Sequence, residues 1–503
     1  LRAQKLGASS EVLAAVRYGT LGYIIEGLSA DLVFSYWDYQ TRLAHRFGNG
    51  GKLTLTVLGV SDRAGEEGDP TTDEDDSILS VGFHKLDLRY RQGLGDSAWF
   101  QTGLQLGHEF FTPPEDEDID EMASGRADQQ NLRLYGEVGY VPGEAAELSA
   151  GADVLVQDFG LTLDDDVDIF LGNADYGVTL GVWTAAEIRP GGVLRGLLVN
   201  PSVRIDHYRY EAEASSARET AVNPRLAAAY DLTSRVVLKG SAGLYSGPTR
   251  FSFVEPPIVF GPIPGYEGPG LYNGLSRTWQ LQAGVEVKLP GDFELAATAF
   301  HHDSFMPIDF SLIDRRIGPD LTPCDGLNIA EVSVLDVDGA TTGAEFLLRR
   351  RLGSSVYGWL SYALSRSDRQ IPGVGAIPFD FDQTHVFNAV LSWEVGRNWT
   401  LGGVLHINSG RPYTPNIIDR CGTFFEGRPG AYNSARFPNY WRLDVRIQKR
   451  EVFDTWFFDF YIDFFNAAFQ WEILDYEVDP FTGVEEAEEL PLFVPMIGIR
   501  GEF

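Results

Sequence analysis

Four acidic runs hold the residues with the plainest chemical potential: GEEGDPTTDEDD at 65–76, PPEDEDIDE at 113–121, LDDDVD at 163–168 and VEEAEE at 484–489. Hard cations such as Ca²⁺ take several carboxylate oxygens, and a divalent ion would relieve the self-repulsion of so dense a cluster. On that ground Asp73, Glu74, Asp75, Asp76, Glu115, Asp116, Glu117 and Asp118 are candidate ligand-binding residues, although no particular metal is singled out. The plainer reading of the same runs is solvated loops kept soluble by their charge. With 72 acidic and 40 basic residues the chain carries a net charge of −32, which excludes a nucleic-acid partner, since those select basic surface. Two cysteines, Cys324 and Cys421, are too few for a disulfide scaffold, but a single bridge between them is open in an oxidising compartment. Among the eight histidines, His301 and His302 are adjacent and beside Asp303. Neighbours in a strand point to opposite faces, so this pair is a poor chelate. There is no G-x-S-x-G elbow, P-loop or H-E-x-x-H, so neither an enzyme nor a bound cofactor is expected.

The elements that would carry these loops announce themselves by period. In YWRLDVRIQKR (440–450), Trp441, Leu443, Val445 and Ile447 alternate with Arg442, Asp444, Arg446 and Gln448. In WFFDFYIDFFNAAF (456–469), Trp456, Phe458, Phe460, Ile462 and Phe464 alternate with Asp459, Tyr461 and Asp463. Side chains in a strand point alternately to the two faces of its sheet, so each segment has an apolar, aromatic-rich face and a charged one. The unit recurs from end to end, and about 20 strands are expected by its period. Short connections near 47–51, 93–97, 142–146, 190–194, 232–234, 290–292, 352–354, 396–398 and 451–454 alternate with long polar ones near 63–77, 111–129, 159–175, 211–220, 246–275, 307–335, 368–382, 410–437 and 470–490. No apolar run reaches the roughly 18 residues that a membrane helix needs.

Short turns on one side and long loops on the other, with alternating strands between, are the signature of an antiparallel transmembrane β-barrel. The expectation is therefore all-β, with Trp279, Leu281, Trp441, Phe458 and Phe460 towards lipid and Arg42, Asp87, Glu286 and Asp444 towards the lumen. Energetics support the partition, because Lys or Arg on the lipid face costs about 2–4 kcal/mol near the bilayer midplane. A soluble sandwich also alternates, but it has no use for Trp and Phe along one face of so many strands. The most specific local stretch is FDFDQTHVFNAVLSW with WTLGGVLHINSGRPYTP (379–415), where Gly410 and Pro412 end a strand. There Arg411 and Tyr413 are candidate ligand contacts at the rim, against the plainer reading of a strand end.

The phrase SGRPYTP after a D-Q-x-H-V-x-N strand resembles the outer-membrane TonB-dependent receptor family, in its C-terminal barrel. NPRLAAAYDLTSRVVLKGSAGLYSGPTRF (223–251), WDYQTRLAHRF (37–47) and the final LPLFVPMIGIRGEF do so as well, in order and over essentially the whole chain. The resemblance implies a 22-stranded barrel around an N-terminal plug, placed in the bacterial outer membrane and in contact with its lipid. It further implies a small-molecule or metal-chelate substrate (siderophore, cobalamin, haem or glycan) and energised uptake through the inner-membrane TonB complex. No plug or TonB box is found in the sequence, and LRAQKLG at the start looks like the tail of a second strand. The single domain 1–503 is then expected to hold strands three to twenty-two, to leave a seam where two strands are absent, and not to support TonB-driven uptake alone. A passive porin-like channel, or a surface-binding barrel without import, is the alternative function.

Overall fold

The structure is a computed structural model that describes residues 4–5, 9–19, 32–66, 77–112, 125–163, 175–212, 215–248, 274–308, 335–350, 355–371, 375–490 and 493–502. Among them there is no α-helix, only a 3₁₀ turn at Gly192–Leu194. Of 28 strands, 22 lie in a large antiparallel sheet and six form three small two-stranded pieces.

The chain divides into two compact units, Leu1–Leu226 with Ser246–Ser276, and Ala227–Tyr245 with Arg277–Phe503. In the first, Ser10–Tyr18, Leu32–Arg46, Lys52–Glu66, Ser77–Leu94, Ala98–Thr112, Gly125–Gly143, Ala146–Leu163, Asp175–Ile188 and Leu197–Ala212 each pair antiparallel with the next. In the second, Phe293–Ile308, Leu335–Arg350, Val356–Ile371, His385–Gly396, Trp399–Asn408, Tyr440–Val452, Phe457–Phe465 and Val494–Glu502 do the same. Turns at one end are minimal. Arg397 (φ 50°) and Asn398 (φ 63°) form a two-residue hairpin with both central residues left-handed, the geometry that matches strand twist.

Strand parity is as the alternation predicts. Trp279, Leu281, Trp441 and Phe460 are exposed on the apolar face. On the other face charges pair: Lys239 with Glu286 (2.5 Å), Arg442 with Asp444 (3.1 Å), Arg446 with Asp463 (3.5 Å) and Arg450 with Asp459 (2.7 Å). Along Leu197–Ala212 the contrast is direct, with Ile205, His207 and Arg209 exposed and Asp206, Tyr208 and Tyr210 buried.

The polar face of the first unit carries a buried ionic lattice. Asp153 receives Arg133 Nε at 2.9 Å on one oxygen and Arg204 Nη2 at 2.8 Å on the other, while Arg204 Nε also bonds Asp206 at 2.8 Å. Arg204 reaches Asp153 across an intervening strand, in which Gly181 stands opposite both Asp153 and Asp206. A Cβ at Gly181 would overlap the Arg204 guanidinium and the Asp153 carboxylate, so glycine there is a clearance rather than a turn. Asp153 is 7% and Asp206 4% exposed; such buried charges persist only when paired.

One expectation is corrected. The long connection placed near 211–220 is mostly strand: the chain is extended through Ala212 and again from Ser215. The run EAEASSARE has low strand propensity, but His207 Nδ1 bonds Thr220 Oγ1 at 2.9 Å, and cross-strand contacts of this kind override propensity. Within the opening segment, expected to be the tail of a strand, Gln4–Lys5 pairs with Glu11 and Val12 of Ser10–Tyr18.

Candidate functional site

The best-defined candidate site is a platform built where strands of the second unit give way to longer connections. Trp399–Asn408 ends and Gly410 turns so tightly against Phe437 that a Cβ would overlap the Phe437 carbonyl oxygen. Pro412–Tyr413 then pairs with Ala435–Arg436, and between them Asn416–Cys421 and Phe424–Pro429 form a hairpin. A third piece, Glu472–Val478 with Glu485–Leu490, is a second hairpin.

These pieces are joined by polar bonds that no local pattern specifies. Asp382, its side chain 1% exposed, forms an ion pair with Arg436 and accepts from the Ser367 backbone N–H at 2.7 Å. Arg436 Nη1 also donates to the Asp382 carbonyl (2.9 Å) and the Gly410 carbonyl (3.1 Å). Asp380 accepts from Tyr432 Oη (2.5 Å) and Asn433 Nδ2 (2.6 Å), and Asn433 Nδ2 reaches the Pro378 carbonyl (2.8 Å). Asn416 Nδ2 donates to the Tyr476 carbonyl (3.0 Å), and the Phe425 N–H to the Pro480 carbonyl (2.7 Å). Three connections are thereby fixed to one another.

An aromatic cluster lies at their junction. The Tyr413 and Phe437 rings stack at 4.5 Å, Tyr413 lies 5.1 Å from Tyr476, and Phe437 and Tyr476 stack at 5.7 Å. The Arg411 guanidinium sits 5.2 Å over the Phe437 ring and donates to the Leu474 carbonyl at 2.8 Å. Burial pushes the Tyr413 phenol above its ordinary range, with Tyr476 and Glu485 adding to the shift. The outer hairpin, 472–490, contains eight carboxylates and no Lys or Arg, and its register sets Asp475 opposite Glu488 and Glu477 opposite Glu486. At the hairpin turn the Asp479 carboxylate accepts the Thr482 (2.7 Å) and Phe481 (2.8 Å) N–H groups, which hold its pKa below the usual carboxylate value.

Of the residues singled out by sequence, Arg411 and Tyr413 are brought together here, and the contacts described above tie both into the platform. Cys421 is buried and disulfide-bonded, while Cys324 lies outside the described residues. Asp73, Glu74, Asp75, Asp76, Glu115, Asp116, Glu117 and Asp118 also lie outside them. His301 and His302 stand opposite Thr342 and Thr341 on alternate faces, and His301 Nδ1 meets Thr342 Oγ1 at 2.6 Å. Sequence reasoning passed over Asp380, Asp382, Asn433, Arg436 and Tyr476. Its one available signal was the FDFD run at 379–382, two acids at alternate positions directly before a strand.

Residues 16–466 match the family model for the TonB dependent receptor-like β-barrel. The chain belongs to this family. Its outer-membrane receptors are β-barrels of Gram-negative bacteria. The fold is similar to the ferric-catecholate import receptor Fiu of E. coli K12, with TM-score 0.69 at 10% identity over 99% of this chain and 78% of that one. It is likewise similar to the ferric citrate transporter FecA in its unliganded form, with TM-score 0.68 at 13% identity over 99% and 74%. A third likeness is to the ferripyoverdine receptor of the Pseudomonas aeruginosa outer membrane, with TM-score 0.67 at 13% identity over 99% and 68%. No curated protein sequence matches the chain. The family and these neighbours are receptors and transporters rather than enzymes.

Proposed function

We propose that the chain is the barrel portion of an outer-membrane receptor for energised uptake of a scarce nutrient, coupled to the inner-membrane TonB complex through a plug. The observation that carries this reading is the family match over residues 16–466. The rim platform supports it, because it fixes connections in place with buried polar bonds, and pre-organised loops lose less entropy on binding. Ferric chelates are the substrate class the structural neighbours favour, since those proteins import or bind them by name. The all-acidic hairpin 472–490 favours a neutral or cationic chelate, because a polyanionic one would approach like charge.

The test is accumulation of radioactive iron, supplied as chelates of graded charge, in receptor-deficient cells expressing the natural gene. Accumulation that collapses with a protonophore or without TonB supports the reading. Uptake insensitive to both, together with ion conductance in planar bilayers, replaces it with a passive channel. Residues 1–503 expressed alone are expected to give no energised accumulation above empty vector.

A further inference from the structure

All eight histidines are described, and five occupy a consistent position on the apolar face. In the first unit His84 lies ten residues from the strand end at Leu94, His108 ten from Ala98, and His207 ten from Leu197. Each of those ends leads to a short turn. Between His84 and its turn the same face carries Leu86, Leu88 and Tyr90; below His108 it carries Leu106, Leu104 and Phe100; below His207, Ile205, Val203 and Val199. No ionisable group but Tyr90 interrupts these stretches, and charge begins immediately beyond, at Asp128, Arg209 and Glu211. In the second unit, taken by itself, His301 lies eight residues from the strand end at Phe293 and His385 eleven from the strand end at Gly396. His301 stands above Ala299, Ala297, Leu295 and Phe293, with Asp303 beyond it, and His385 stands above Phe387, Ala389, Leu391 and Trp393.

Ten residues of strand rise about 34 Å. At a strand tilt of about 40° that is about 26 Å across a membrane, close to the apolar band of roughly 25 Å on such barrels. Each ring is also oriented. Nδ1 of His84 bonds Tyr39 Oη at 3.1 Å, Nδ1 of His207 bonds Thr220 Oγ1 at 2.9 Å, and Nδ1 of His385 bonds Tyr362 Oη at 2.8 Å. When the hydroxyl donates, the ring proton resides on Nε2, and these three Nε2 atoms have no hydrogen-bond partner among the described residues. His108 and His301 differ, since their Nε2 atoms already face Asp128 (2.9 Å) and Asp303 (3.1 Å).

We propose that in each unit these histidines mark the headgroup level of the outer leaflet, and that His84, His207 and His385 donate Nε2–H to phosphate oxygens of the lipid headgroups. This rests on the outer-membrane reading above, and the test separates the two. Spin labels are placed singly at 84, 207 and 385, at the deeper positions Leu88, Ile205 and Leu391, and at Arg209, in vesicles of phosphatidylethanolamine and phosphatidylglycerol. The unsubstituted protein gives the labelling background. Labels at Leu88, Ile205 and Leu391 that remain water-accessible defeat the membrane reading itself. If those three are in the bilayer but the histidine positions are not at phosphate depth, only the present inference fails.

The hydrogen bond is tested with the triple variant H84F/H207F/H385F, by the heat-modifiability midpoint in the phospholipid vesicles and in vesicles of a phosphate-free galactolipid. Loss of the bonds to Tyr39, Thr220 and Tyr362 is common to both bilayers and cancels in the difference. A drop larger by a few degrees in phospholipid is the expected result, and equal drops overturn the proposal.

Discussion

Asp382 is the side chain on which the platform most depends, and Asp382→Ala is the sharpest perturbation of it. The substitution removes the acceptor of the Ser367 N–H and the ionic partner of Arg436. A buried donor left without its acceptor costs about 1–3 kcal/mol, and a hydrogen bond to a charged group contributes about 1.5–3 kcal/mol. Arg436 is 38% exposed and keeps its bonds to the Asp382 and Gly410 carbonyls, so water and those carbonyls recover part of the second term. A local loss of about 3 kcal/mol remains, equivalent to about a hundredfold in the opening equilibrium. Hydrogen exchange reads it directly, since local opening sets the protection of each segment. Residues 410–437 and 365–369 should exchange about a hundredfold faster, while 356–364 and 399–408 keep their rates. Asp382→Asn retains an acceptor and should show an intermediate effect. In the cycle with Arg436→Met, the double variant should exceed Asp382→Ala only by the loss of the two carbonyl bonds, so the two losses should be clearly less than additive. Unchanged protection in 410–437, or loss that is additive in the cycle, would refute the claim that this pair fastens the connections.

Gly181→Val should drive a side chain into the Arg204–Asp153 bond and lower the unfolding midpoint by an amount corresponding to about 1–3 kcal/mol, whereas Gly136→Ala, where a Cβ meets nothing within 4 Å, should leave it unchanged. Cys421 should pair with Cys324, the only other cysteine in the chain; non-reducing peptide mapping should recover a single cross-linked peptide, and free thiol at either residue would exclude it. The Asp479 carboxylate has its folded pKa depressed, so its support of the 479–484 turn is fully present above the ordinary aspartate value and is lost as pH falls through the folded one. Exchange of the Phe481 and Thr482 amides relative to Asp479→Asn should therefore show protection that disappears on acidification, and a pH-independent difference would count against it.

Sequence and structure agree where information is local and part where it is not. A period of two tells which face a residue takes, so Arg442, Asp444 and Arg446 could be set opposite Trp441 without knowing any neighbouring strand. Period carries no register, and the partners in the ionic lattice depend on register: Arg204 finds Asp153 only because Gly181 stands between them in a strand that neither belongs to. Propensity failed at 211–220 for the same reason, since Thr220 is held by a histidine 13 residues away. At the rim the separation grows to 54 residues for Asp382 and Arg436, and to 63 for Arg411 and Leu474. No pattern within either segment encodes those bonds.

This difference has a consequence for recognition. On the wall, exchanging one polar residue for another must preserve a cross-strand partner, because each buried charge leans on the next. On the platform, Asp380, Asp382, Asn433 and Arg436 hold the frame, while the tips they support at 417–428 and 479–484 make few of these bonds. On the proposed reading as a ferric-chelate receptor, substitutions at the tips, such as Phe424 or Phe481, 48% and 82% exposed, should therefore alter which chelate is captured without loosening the barrel. Substitutions in the frame should weaken capture of every chelate alike. A frame variant that switches preference between chelates, or a Phe481→Ala variant that loses heat-modifiability, would show that frame and tips are not separable in this way.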